Sequence, residues 1–81
     1  MNKIIKSFFS LGYTIHFSED TEGLIEFYNV EDMSVIKVNL KSKRYMKVDS
    51  VYYTNAIPLT LDEHKLITEL FEVSKYDMLY M

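Results

Sequence analysis

Pro58-Leu59-Thr60-Leu61-Asp62-Glu63-His64-Lys65-Leu66-Ile67-Thr68-Glu69-Leu70-Phe71-Glu72-Val73 carries a helix start and an apolar stripe in one stretch. Pro58 stops what precedes it. Thr60 is a good N-cap, and Glu63 stands three residues on, so the two side chains can each satisfy an orphan backbone N–H in a capping box. Asp62 and Glu63 complement the positive end of the helix dipole. Leu66, Ile67, Leu70 and Phe71 share one face, with Lys65, Thr68, Glu69 and Glu72 on the other. Such a stripe needs a surface to cover, and the strand-rich middle of the chain is the only candidate.

Upstream, residues 2–11 read as a short helix that Asn2 caps and Gly12 ends, with Ile4, Ile5, Phe8 and Leu11 on one face. Ten residues are too few to hold a helix alone, so it must dock. Tyr13-Thr14-Ile15-His16-Phe17 alternates as a strand, with Tyr13, Ile15 and Phe17 inward. The second strand is expected over Leu24–Val30 and the third over Ser34–Leu40, the latter with Ile36, Val38 and Leu40 inward. Arg44–Ser50 reads as the fourth, with Met46 and Val48 inward and Tyr45, Lys47 and Asp49 outward. Val51-Tyr52-Tyr53 extends that strand or forms a short fifth one. The apolar segment Tyr76-Asp77-Met78-Leu79-Tyr80-Met81 packs on the body, forms an edge strand or meets another chain. No internal repeat is evident.

Consecutive antiparallel strands with short turns make a meander, buried on one face and wet on the other. The expectation is a single α+β domain over residues 1–81. It has two layers: a four-stranded antiparallel sheet, or five-stranded with residues 51–53, and two helices packed on one face.

The 81 residues include no cysteine, which removes disulfides, thiolate nucleophiles and Cys-based metal sites and suits a reducing cytoplasm. Lys3, Lys6 and a short apolar run superficially suggest a signal peptide. Lys6, Ser7 and Ser10 break the run, and no small-residue cleavage site follows. No stretch is apolar enough for a membrane span. His16 and His64 are isolated from other ligands, and paired acids such as Glu19/Asp20 lie in turns where nothing raises a pKa. No nucleophile elbow or phosphate loop is present. The reading is therefore non-enzymatic, with no catalytic, cofactor-binding or metal-ligating residues.

Charge is polarised. Six of the 12 acids, Glu19, Asp20, Glu22, Glu26, Glu31 and Asp32, precede five of the 9 basic residues, Lys37, Lys41, Lys43, Arg44 and Lys47. Those five, around Tyr45 on the expected open face, could hold a nucleic-acid backbone. A solvated strand whose lysines discourage edge pairing is the plainer reading, and the net charge of −3 favours it. The aromatic content points elsewhere. Tyr28, Tyr45, Tyr52, Tyr53, Tyr76 and Tyr80 exceed what two helices can cover, and tyrosine suits interfaces. A second small core between the C-terminal segment and Tyr52/Tyr53 is the competing account.

Leu11-Gly12-Tyr13, the short alternating strands, and Leu59-Thr60-Leu61-Asp62-Glu63-His64 opening a final helix resemble small uncharacterised phage and prophage proteins of Gram-positive bacteria. The resemblance implies a cytoplasmic accessory protein that binds host machinery, with no catalytic residue to carry over. The expected function is thus a non-enzymatic protein-interaction or regulatory module whose partner is a host protein or a second copy of the chain. A weak nucleic-acid-binding module built on the basic hairpin is the alternative, and no membrane partner is expected.

Overall fold

The computed structural model describes residues 2–79, and the side chains of residues 3–73. Helix α1 spans Asn2–Ser10, followed by strands β1 (Tyr13–Phe17), β2 (Leu24–Asn29), β3 (Ser34–Asn39) and β4 (Arg44–Asp49), and by helix α2 (Leu61–Leu79). The strands form one antiparallel sheet in chain order, β1-β2-β3-β4. This is the expected α+β meander. Gly12 ends α1 at φ +94°, a backbone conformation that side chains with a Cβ resist.

The main core lies between the helices and one face of the sheet. Ile4 and Phe8 from α1 and Ile67 and Leu70 from α2 pack on Tyr13, Ile25, Phe27, Ile36 and Val38. Phe8 anchors the centre, stacked on Phe27 with ring centroids 4.1 Å apart and meeting Tyr13 edge-on at 5.8 Å. Both helices therefore share one face, here called inner. The apolar stripe of α2 does what its spacing predicts.

Three turns share one device at ten-residue spacing, a repeat the sequence reading did not find. Asn29 Oδ1 accepts the Asp32 N–H at 3.1 Å, and Asn39 Oδ1 accepts those of Lys41 and Ser42 at 2.9 and 3.1 Å. Asp49 accepts the N–H groups of Tyr52, Asn55 and Thr54 at 2.8, 2.8 and 3.2 Å. Four residues after each Asx side chain the chain turns left-handed, at Met33 (φ 52°), Lys43 (φ 59°) and Tyr53 (φ 59°). An Asx side chain that mimics a backbone acceptor fixes where the chain reverses, and so fixes the register of the strand that follows.

That register overturns the expected orientation of β4. Val38 stands opposite Tyr45 and Ile36 opposite Lys47, so Tyr45, Lys47 and Asp49 share the inner face with the core. Met46 and Val48 point to the outer face instead, where Met46 is exposed. The fifth strand is also absent as drawn, because residues 51–53 belong to the third turn. The chain returns past β4 further on, where Ala56 bridges Val48 and the Ile57 N–H donates to the Lys47 carbonyl at 2.8 Å. Phe17 is on the inner side of β1 but remains exposed. Helix α2 runs to Leu79, which excludes an edge strand over residues 76–79.

Candidate interaction surface

Two faces of one sheet have different contents. On the inner face, three polar groups from distant parts of the chain meet in the core. Glu63 closes the capping box with Thr60: its Oε1 accepts the Thr60 N–H at 2.9 Å while Thr60 Oγ1 accepts the Glu63 N–H at 3.1 Å. The same carboxylate accepts the Tyr13 hydroxyl and lies 3.1 Å from Lys47 Nζ, both side chains of the ion pair being 6% exposed. Lys47 Nζ also stands 5.9 Å from the Tyr13 ring centroid. One buried carboxylate thus ties the start of α2 to β1 and β4.

The ionisation of the three follows from this packing. Burial works against the Glu63 carboxylate, but the Tyr13 hydroxyl, the Thr60 N–H and the Lys47 ammonium outweigh it and hold the pKa below the usual glutamate value. Burial likewise works against the Lys47 ammonium and is outweighed by Tyr13 and Glu63, which raise its pKa. Burial, then the neighbouring Glu63, raises the Tyr13 hydroxyl. All three causes favour Glu63 ionised, Lys47 charged and Tyr13 neutral.

Tyr45 is also spent inward. Its hydroxyl shares a 2.8 Å hydrogen bond with His64 Nδ1, and its ring meets His64 at 5.6 Å and Phe71 at 5.9 Å. Lys43 caps this corner, with Nζ 5.3 Å from the Phe71 ring centroid and 3.4 Å from the Phe71 carbonyl. Lys41 Nζ pairs with Glu22 at 2.8 Å on the surface, which lowers the Glu22 pKa.

The five basic residues therefore do not form one patch. Lys47 is buried on the inner face, Lys43 leans on α2, and Lys41 pairs across two turns. Lys37 and Arg44 alone line an open groove on the outer face, with Leu24, Asn39, Tyr45 and Met46, enclosing 420 Å³.

The tyrosines divide as well. Tyr28 and Tyr53 meet on the outer face, where hydrogen bonding between their hydroxyls, then burial and Glu26, raises the Tyr28 pKa. Tyr28 also donates to Glu26 at 3.3 Å, and Lys37 Nζ sits 4.9 Å over the Tyr53 ring. On the same face as Tyr28, Val35 and Val48 stand opposite one another and are buried. Tyr52 is 74% exposed at the tip of the third turn. Tyr76 lies on α2, its side chain outside the described set, and Tyr80 lies outside the described residues.

Among the described residues, no three His, Cys, Asp or Glu side chains gather as a metal site. Likewise, no helix is long and apolar enough to cross a membrane. The sequence reading missed the Tyr13–Glu63–Lys47 cluster. It had identified Glu63 as a capping residue, but the second role of that carboxylate depends on the β4 register. Comparison of the chain with protein-family models, curated proteins and solved structures returns no match.

Proposed function

We propose that this chain is a non-enzymatic protein-interaction module that binds a host protein through the outer face of its sheet. The observation that carries the reading is the asymmetry between the faces. Both helices cover the inner face, whereas Leu24, Tyr28 and Met46 stand on the other, with Tyr53 beside Tyr28 and, among the described residues, no helix packed on them. Met46 and Tyr53 are 54% and 46% exposed beside a charged pair of rows, Glu26 and Lys37. Rigid aromatic and thioether side chains with a polar fringe are what protein interfaces favour. The resemblance to phage accessory proteins and the lack of cysteine support a cytoplasmic setting and a host partner.

A second reading keeps one specific support: Lys37 and Arg44 share the outer groove with Asn39, an arrangement that could follow a nucleic-acid strand. Immobilised protein exposed to host lysate, with and without nuclease, separates the two. The account expects one stoichiometric host protein that survives nuclease and is lost with Met46→Lys plus Tyr53→Ala. Retention that vanishes with nuclease, and with Lys37→Glu plus Arg44→Glu, would replace it with the nucleic-acid reading.

A further inference from the structure

The fold neutralises the basic residues of the second hairpin unequally. Lys41 is paired with Glu22 and Lys47 with Glu63, while Lys43 leans on Phe71. Among the described residues, no carboxylate pairs with Lys37 or Arg44. Lys37 meets the Tyr53 ring, a contact that leaves its charge in place.

Both cations line the outer groove with Leu24, Asn39, Tyr45 and Met46. Strand pairing sets their spacing. Arg44 stands opposite Asn39 and Lys37 opposite Met46, so the two cations are diagonal neighbours on one face, about 7–8 Å apart along the sheet. Asn39 adds a donor. Its Oδ1 is spent on the Lys41 and Ser42 N–H groups, which leaves Nδ2 without a partner among the described residues. The groove thus holds two cations, one amide donor and two apolar side chains, and its lining includes no acid.

Such a lining suits an anion with an apolar neighbour. The 420 Å³ of the groove falls in the range of sites for small groups, roughly 300–1,000 Å³. A long polyanion fits poorly. Glu26 stands opposite Lys37 on the next strand and repels the next phosphate of a chain crossing the sheet. We infer that the groove receives one carboxylate side chain of the partner protein, an Asp or Glu beside a large apolar residue. The carboxylate bridges Lys37, Arg44 and the Asn39 amide, and its apolar neighbour covers Leu24 and Met46. Arginine holds a carboxylate through two parallel N–H groups, so Arg44 is the principal anchor. This inference rests on the outer-face reading and names the chemistry that the partner brings to it.

Short blocked peptides with Glu between two Leu residues, their Gln and Lys versions, and oligothymidine test it by titration into isotope-labelled protein. The Glu peptide should shift the amides of Lys37, Asn39, Arg44 and Met46, and the Gln peptide should bind about tenfold more weakly. Arg44→Glu should lose the Glu peptide and gain the Lys peptide, a gain that also shows the variant to be folded. No response, equal binding of the Glu and Gln peptides, or shifts confined to other residues would overturn the inference, even with host-protein capture intact. Tighter binding of oligothymidine at the same amides would overturn it in favour of nucleic acid. Failure of the outer-face reading shows separately, as no host protein captured from lysate while the carboxylate-dependent peptide response persists.

Discussion

The Lys47 ammonium and the Glu63 carboxylate meet inside the core, Nζ lying 3.1 Å from Oε2 and 3.2 Å from Oε1. This pair joins the strand at one side of the sheet to the first turn of the helix that covers it. Since Glu63 also caps that helix, one side chain sets both where α2 begins and where it docks. Charge burial is costly unless the remaining lone pairs are satisfied; here Tyr13 and Thr60 supply those partners.

Removing one member should therefore cost more than removing both. Glu63→Gln keeps an acceptor for Thr60 but leaves Lys47 buried without a countercharge, a loss of about 3–5 kcal/mol. Lys47→Met leaves the carboxylate unpaired and should cost a similar amount. The double variant should recover part of the loss, giving a coupling energy of about 1–3 kcal/mol in a urea-denaturation cycle. Additive losses would contradict the pairing.

The pH dependence has two limbs with defined signs. The Glu63 pKa is lowered by folding, so its contribution is present above the ordinary glutamate range and is lost as pH falls through the depressed value. The Lys47 and Tyr13 pKa values are raised. Their contributions are complete below the unfolded values near 10 and are lost as pH rises through the folded ones. Urea midpoints should thus be flat in between and fall at both ends. Glu63→Gln should flatten the acid limb.

The outer face has its own titration. Tyr28 ionises well above its ordinary value of 10.0 because Tyr53 is its principal partner. Tyr53→Phe should bring Tyr28 back toward 10, leaving the smaller effects of burial and Glu26. Tyrosinate absorbance of the two proteins, with Tyr28→Phe identifying the transition, measures this. An unchanged titration would mean that Tyr53 does not sit beside the Tyr28 hydroxyl.

The turns are separately testable. Met33 sits left-handed at φ 52° with its side chain exposed, a conformation that costs a non-glycine residue roughly 1–2 kcal/mol. Met33→Gly should raise stability by up to about 1 kcal/mol, the gain being reduced by glycine's greater freedom when unfolded. Asn39→Ala removes the acceptor of two backbone N–H groups and should cost about 1–2 kcal/mol. For Asp49→Ala the expected change is faster amide exchange at Tyr52, Thr54 and Asn55.

The sequence carried most of this architecture and misassigned one strand, for a physical reason. Helix α2 was legible because capping and periodicity agree over Thr60–Phe71. Strands β1 to β3 were legible because alternation and turns agree. In Arg44–Asp49, alternation alone places Met46 and Val48 inward, whereas the turn at residues 40–43 sets Val38 against Tyr45 and so turns Lys47 inward. The ten-residue spacing of Asn29, Asn39 and Asp49 was the available signal. Recognising it would have counted β4 into register and shown that lysine as a core residue needing an acid. Val48 misled because it is buried on the other face, where Ala56 of the returning chain pairs with it.

That inward lysine decides what each face of the sheet presents, and its reactivity reports it directly. Brief treatment of the native protein with an amine-acylating reagent, followed by peptide mass analysis, compares Lys47 with exposed Lys41 and Lys65. The account predicts that Lys47 stays unmodified while the other two react, and that it reacts like them once urea unfolds the chain. Acylation of native Lys47 at the rate of Lys41 would place it on the open face and contradict the orientation of β4, the buried pair and the assignment of the outer surface together.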